Sequence, residues 1–131
     1  MDLSEWYSSL NQPGWAPSAQ TIGRVWTLLY PIILFVTAYV TIKYFNNKIP
    51  LSVALAVWIN LGFNIAFTPI QITTKNNALI SLIILLVLGT LIWAIAVLWP
   101  QNKWLAILYI PYLAWVAIAT TLQLSLWWLN R

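Results

Sequence analysis

Four stretches of this chain, 25–42, 51–71, 78–99 and 104–130, contain no Asp, Glu, His, Lys or Arg. Each is about as long as the run of roughly 20 apolar residues that crosses a bilayer as a helix. Backbone N–H and C=O groups in hydrocarbon must find partners within the protein, so such runs fold as helices. Composition leaves no soluble alternative: 62% of the residues are hydrophobic and 6% charged, where a soluble domain carries about 25% charged residues. The sequence therefore predicts an all-α membrane protein of one domain, residues 1–131. It is a four-transmembrane-helix bundle with spans at about 24–45, 51–71, 78–99 and 104–129 and an N-terminal interfacial arm over 1–23.

The basic residues Arg24, Lys43, Lys48, Lys75, Lys103 and Arg131 stand singly at the ends of the apolar runs. That is the pattern of interfacial flanks, and it excludes a phosphate-binding patch for nucleic acid. With four spans both termini lie on one side. Arg24, Lys75 and Arg131 then oppose Lys43, Lys48 and Lys103, so the basic residues do not set the orientation or identify the membrane. The N-terminus is acidic and polar, unlike a cleavable signal peptide. A short helix is predicted in the arm from Leu3 to Leu10. Pro31 lies inside the first span and predicts a kink, with Trp26 and Tyr30 on a short first segment. Pro100 is expected to end the third span, which reads as a packing helix.

Polar residues in the spans carry the functional signal. In the last span Tyr112, Trp115, Ala119, Gln123 and Trp127 recur three or four residues apart and so share a helical face. Trp104, Trp127 and Trp128 fit interfacial anchoring. Trp115 and Gln123 lie deeper, and an unpaired amide in hydrocarbon is costly, so this face turns either to a cavity or to a packed neighbour. In the second span Asn60, Asn64, Thr68 and Gln71 form another stripe, with Phe67 between them. These asparagines serve as interhelical glue, as cavity wall, or as both. Gly62 and Ala66, on nearly the opposite side, form a small-residue pair that would allow close helix approach within the chain or across a homodimer.

Several activities are excluded by what the spans lack. No ionisable residue lies within them, against a proton- or cation-coupled carrier such as a small multidrug exporter. The chain has no Cys and no His, so metal and thiol chemistry have no ligand set, and no nucleophile is paired with a base. Aromatic rings with a few amides suit a pocket for a flat, mostly apolar ligand.

The order of motifs resembles the TspO/MBR family, the tryptophan-rich sensory and translocator proteins, also called peripheral benzodiazepine receptors. The motifs are WYSSLNQPGWAP from Trp6, VWTLLY from Val25, the Ile59-Asn60 pair with an aromatic three residues on, PYLAW from Pro111, Ala119 and the final WLN. The resemblance covers about residues 6–130. It implies a helical membrane protein that needs no cofactor and binds porphyrins such as haem and protoporphyrin, or in some members sterols and synthetic drugs. Carried over by motif, Pro13, Trp15, Ala16 and Pro17 would form a lid, with Trp26, Tyr30, Asn60 and Trp115 in the pocket and Ala119 as its small residue. Together with the polar stripes, the expected ligand-binding set is Trp15, Pro17, Trp26, Tyr30, Asn60, Asn64, Phe67, Tyr112, Trp115, Ala119 and Gln123. Light-dependent porphyrin breakdown in some relatives makes Trp26 and Trp115 the candidates for any such activity here.

The chain also departs from the family pattern. The helix that normally precedes WYSSL is missing from this sequence, which leads to an expectation that a homodimer or the arm completes the bundle. Ser18 stands for the second proline of the loop motif, Phe63 for the tryptophan after the membrane asparagine, Asn64 for the serine that follows and Gln123 for the asparagine of the last helix. The loose sterol pattern near the end of the last helix lacks its tyrosine; Val40, Tyr44 and Lys48 match it elsewhere. The reading is a membrane-embedded binding protein for a tetrapyrrole or sterol-like molecule in sensing, delivery or transport. The alternatives are a porphyrin-degrading photo-enzyme and a structural subunit without ligand.

Overall fold

A computed structural model describes residues 2–131, and the described residues are helical with short connections. Helix α1 (Leu3–Ser9) opens with Asp2 as cap, its Oδ1 accepting from the Glu5 N–H at 2.8 Å. Helix α2 (Ala19–Phe45) starts upstream of Arg24 because the Ser18 hydroxyl accepts from the Thr21 N–H at 3.1 Å. A serine in place of proline thus supplies an N-cap. Helix α2 runs unbroken through Pro31, so Trp26 and Tyr30 belong to one continuous helix and not to a separate short segment.

Helix α3 (Leu51–Thr74) extends past Gln71 and stops where Lys75 turns into the left-handed region at φ 44°. Asn76 caps helix α4 (Asn77–Gln101), its Oδ1 accepting from Ala78 and Leu79 N–H groups. Pro100 is accommodated inside the last turn of α4 and does not end it. The most deeply buried apolar residues of α4 are Ile80, Ile84, Val87, Leu91, Ala94 and Leu98. Their spacing of four and three gives one continuous seam, which is what a packing helix requires.

The fourth span is not one helix. Helix α5 (Lys103–Leu108) and helix α6 (Ile110–Leu129) meet at Tyr109. Pro111 lies in the first turn of α6. It has no N–H for the Ile107 carbonyl, and its ring crowds that carbonyl, so the helix is interrupted one turn upstream. Tyr109 keeps φ −82° and ψ −7°, so the direction of the span survives the break. The four spans Ala19–Phe45, Leu51–Thr74, Asn77–Gln101 and Lys103–Leu129 are long and apolar enough to cross a membrane. The protein is an integral, multi-pass membrane protein in contact with the lipid bilayer.

Helices α3 and α4 form the most extensive pair, and α4 packs next on α6. Helix α2 lies across α3 and touches α6 only lightly. Hydroxyls within the spans are satisfied locally: Thr37, Thr41 and Thr120 donate to the carbonyl one turn back, which removes their cost in a water-free interior. Trp99, Trp104 and Trp128 are exposed near helix ends. Arg131 stacks over Trp128 at 3.5 Å and Lys103 over Trp104 at 5.8 Å, so cation and ring anchor the interface together. Val40 is in the core and Tyr44 packs edge-on to Trp58, so Val40, Tyr44 and Lys48 do not make one lipid-facing sterol surface. Gly62 is exposed with open space where a Cβ would stand, so it brings no helices together within the chain.

Candidate functional site

The light contact between α2 and α6 marks a cavity of about 440 Å³. Helix α2 contributes Ala19, Ile22, Gly23, Trp26 and Tyr30; α3 contributes Asn64, Phe67, Thr68 and Gln71. From α6 come Trp115, Ala119, Leu122, Gln123 and Leu126, and α1 adds Leu3, Ser4 and Tyr7. The two sequence stripes therefore face one space. Trp26 is tilted on Tyr30 with centroids 5.8 Å apart and edge-on to Trp115 at 6.4 Å. Edge-to-face contact is the favourable arrangement for aromatic quadrupoles and fixes both indoles against each other.

Behind the wall runs a chain of hydrogen bonds. The Tyr30 hydroxyl donates to Asn64 Oδ1. Asn64 Nδ2 donates to the Tyr112 hydroxyl at 2.6 Å, and Tyr112 donates to Asn60 Oδ1 at 2.9 Å. Asn60 Nδ2 finishes the chain on the Val87 carbonyl and the Thr90 hydroxyl, each at 3.0 Å. All four spans are tied together at one depth. Asn60 is fully buried and acts as glue, whereas Asn64 is both glue and cavity wall.

The remaining expected residues divide by position. Trp26, Tyr30, Asn64, Phe67, Trp115, Ala119 and Gln123 line the cavity. Asn60 and Tyr112 lie one layer behind it, with Tyr112 edge-on to Trp26 at 6.4 Å. Trp15 is 51% exposed and does not reach the cavity, and Pro17 takes part only through its carbonyl. The cover over the cavity is α1, not the turn from Pro13 to Pro17. That turn, closed by the Ala16 N–H on the Pro13 carbonyl at 3.1 Å, runs outside and holds α1 down. Its hold is the Tyr7 hydroxyl, which donates to the Pro17 carbonyl at 2.6 Å. Asn11 and Asn130 add a reciprocal clasp to the end of α6, Asn11 N–H to Asn130 Oδ1 at 2.9 Å and Asn130 Nδ2 to the Asn11 carbonyl at 2.8 Å.

Sequence reasoning did not place Leu3 and Tyr7 at the site. The available signal was their i,i+4 spacing, which gives even a short arm helix one apolar face. Burial holds the Tyr7 phenol above its ordinary value near 10. A raised folded value means that the contribution of Tyr7 to docking of the arm is fully present below pH 10 and is lost as pH rises through the folded value. A spin label at Ser8→Cys, clean because the chain has no cysteine, is therefore expected to report a docked arm from about pH 5 to 9 and a gain in mobility above about pH 10. In a Tyr7→Phe background the same probe should show no transition in that range.

Such a molecule is a multi-pass helical membrane protein with an aromatic cavity among its spans, capped by an N-terminal arm helix. Its sequence matches the TspO/MBR family model over residues 1–129. It is 34% identical over 122 residues to the uncharacterized membrane protein YtaB of Bacillus subtilis, covering 93% of this chain and 78% of the relative. It is 33% identical to the tryptophan-rich protein TspO of Bacillus cereus, covering 95% of this chain and 80% of that one. With the human translocator protein it shares 34% identity over 93% of this chain and 73% of the relative. The chain belongs to the TspO/MBR family.

Proposed function

We propose that this protein binds a flat, mostly apolar small molecule of the tetrapyrrole class in the cavity, as a step in sensing or delivery within the membrane. The observation that carries the reading is the convergence of Trp26, Tyr30, Phe67 and Trp115 on one space of about 440 Å³ beside the amides of Asn64 and Gln123. Aromatic walls with a few convergent polar groups are how proteins hold planar ligands. The names of relatives, a tryptophan-rich sensory protein and a translocator protein, agree with a role in sensing or handing on a small molecule.

The test is a titration of protein in lipid nanodiscs with protoporphyrin IX, following tryptophan fluorescence against empty nanodiscs. Saturable quenching at one ligand per chain is expected. Quenching that only tracks partition into the lipid would overturn the proposal and leave a structural role for the asparagine chain. A second reading, a porphyrin-degrading photo-enzyme, is favoured by the direct contact of Trp26 with Trp115 in the same wall. It requires light-dependent loss of porphyrin absorbance that stops in Trp115→Phe.

A homodimer is a separate proposal, with the exposed Gly62 face of α3 as its contact. Dimer loss in Gly62→Leu, read by cross-linking in nanodiscs, supports it. An unchanged cross-linking pattern rejects that face.

A further inference from the structure

By number the basic residues divide equally between the two ends of the bundle, but the acidic residues do not. Asp2 and Glu5 are the only carboxylate side chains of the chain. Both belong to the arm, which is clasped to the end of α6 and so shares its end of the bundle with Arg24, Lys75 and Arg131. The spans are joined by short connections and alternate in direction, so the end of α2, the start of α3, the end of α4 and the start of α5 meet at the opposite end. That end carries Lys43, Lys48 and Lys103 and no acidic residue. Its positive charges have no countercharge in the protein.

The local structure gathers two of these lysines and aims all three outward. Asn47 takes the left-handed region at φ 58°, and the Lys48 N–H then donates back to the Lys43 carbonyl at 2.8 Å, so both lysines stand at one corner. Lys103 opens α5, which packs on α2. Lys43 leans over the Tyr39 ring at 5.4 Å and Lys103 over the Trp104 ring at 5.8 Å. Stems laid on aromatic faces in this way hold the ammonium groups at the membrane boundary. Among the described residues, none of the three ammonium groups donates to a protein acceptor. At the other end, by contrast, Lys75 Nζ donates to the Ile72 carbonyl at 3.0 Å, and Arg24 and Arg131 share the boundary with two carboxylates. Ile42 and Phe45 on α2 and Trp104 on α5 are exposed beside the free lysines.

We propose that this lysine end of the bundle binds the headgroups of anionic phospholipids, with their acyl chains along the exposed apolar residues of α2 and α5. Three uncompensated ammonium groups offer only donors, and a headgroup phosphate offers the matching acceptors. A lysine at the edge of an apolar span favours anionic lipid by about fivefold, an attraction that reaches about a Debye length, ~10 Å at 0.1 M salt. A zwitterionic headgroup brings its own cation and gains no net attraction. A soluble anion meets the same charge but no apolar surface, whereas the lipid meets both. The proposal stands apart from any ligand of the cavity.

The probe is spin-labelled phosphatidylglycerol or phosphatidylcholine, carrying the same labelled acyl chain, in phosphatidylcholine vesicles that contain the full chain. Electron spin resonance reads the fraction of label immobilised on the protein and gives a ratio of phosphatidylglycerol to phosphatidylcholine association. That ratio is expected to be about fivefold at low salt and to fall toward one at about 1 M NaCl. The triple variant Lys43→Gln, Lys48→Gln, Lys103→Gln should bring it to about one at low salt, while Arg24→Gln, Lys75→Gln, Arg131→Gln should keep most of the parent value. Phosphatidylcholine is the internal reference, so a general loss of folded protein lowers both signals and spares the ratio. A parent ratio near one overturns the proposal. Equal loss in the two triple variants assigns the attraction to net charge alone and overturns it too, as does loss in the second variant only. If inorganic phosphate erases the preference at an ionic strength where chloride does not, the lysines hold a soluble anion and the assignment to lipid is overturned.

Discussion

Asn60→Leu is expected to destabilise the fold by about 2 to 4 kcal/mol, among the largest losses from a polar side chain in the spans. The leucine is apolar and of comparable size, so the transfer term favours it. What outweighs that gain is the loss of three hydrogen bonds, to Val87, Thr90 and Tyr112, at a fully buried position. Interhelical hydrogen bonds in membranes average about 0.6 kcal/mol each and reach about 1.7. A buried donor left without a partner adds roughly 1 to 3 kcal/mol. Val87 and Thr90 keep other uses, since Thr90 donates to the Leu86 carbonyl. The orphan is the Tyr112 proton. Its obvious relief is to turn toward Asn64, but the Asn64 amide then loses its own acceptor. Tyr112→Phe should destabilise by a similar amount, and the double variant by about 1 kcal/mol less than the sum, because both changes break one link. Unfolding in mixed micelles of increasing SDS content, followed by tryptophan fluorescence, measures all three. A loss below about 0.5 kcal/mol for Asn60→Leu would show that the chain does not hold the bundle together.

The spans were legible because hydrocarbon offers the backbone no alternative partner, so the charge-free runs had to be helices. The two polar stripes were legible for a related reason. Amides and indoles at three- and four-residue spacing within a span face the protein interior, and Asn64, Phe67, Trp115, Ala119 and Gln123 do meet at one cavity. Depth within a stripe was not legible. Asn60 and Asn64 are one turn apart and look alike in sequence, yet one ends on the Val87 carbonyl and the other opens to the cavity. Which of them lies behind depends on where α4 and α6 cross α3, and no local pattern carries that. The break at Tyr109 follows from Pro111, which the sequence displays; the effect depends on position, since Pro31 leaves its helix whole and Pro100 fits a last turn. The resemblance implies a lid from Pro13, Trp15, Ala16 and Pro17, whereas the arm residues that line the cavity are Leu3, Ser4 and Tyr7 of the seven-residue helix α1, about which bilayer rules say nothing. Its seat is set by a hydroxyl meeting a carbonyl ten residues on, Tyr7 to Pro17.

Trp115→Ala is expected to weaken binding of protoporphyrin IX by about ten- to a hundredfold while leaving the fold intact. Loss of one aromatic stacking partner is worth roughly 1 to 3 kcal/mol where flat heterocycles sit on protein rings. Its contact with Trp26 puts Trp115 at the top of that range. It meets Trp26 at an interplanar angle of 86°, so removing it also releases a second ring of the wall. Its Nε1 is buried and unpartnered, so the indole forfeits no hydrogen bond when it goes. That point separates binding from stability. Asn60→Leu damages the bundle through orphaned polar groups, whereas Trp115→Ala opens space at a cavity that already exists. Trp15→Ala is the matched control, because Trp15 is half exposed and off the cavity, and its affinity should stay within about twofold of the parent. Quenching titrations in nanodiscs, with folding checked by the same SDS series, decide the matter. If Trp115→Ala binds as the parent does, the ligand is held elsewhere, and the indole pair serves packing between α2 and α6. If both tryptophan variants lose affinity equally, the ligand contacts the outer turn, and α1 has to open for it.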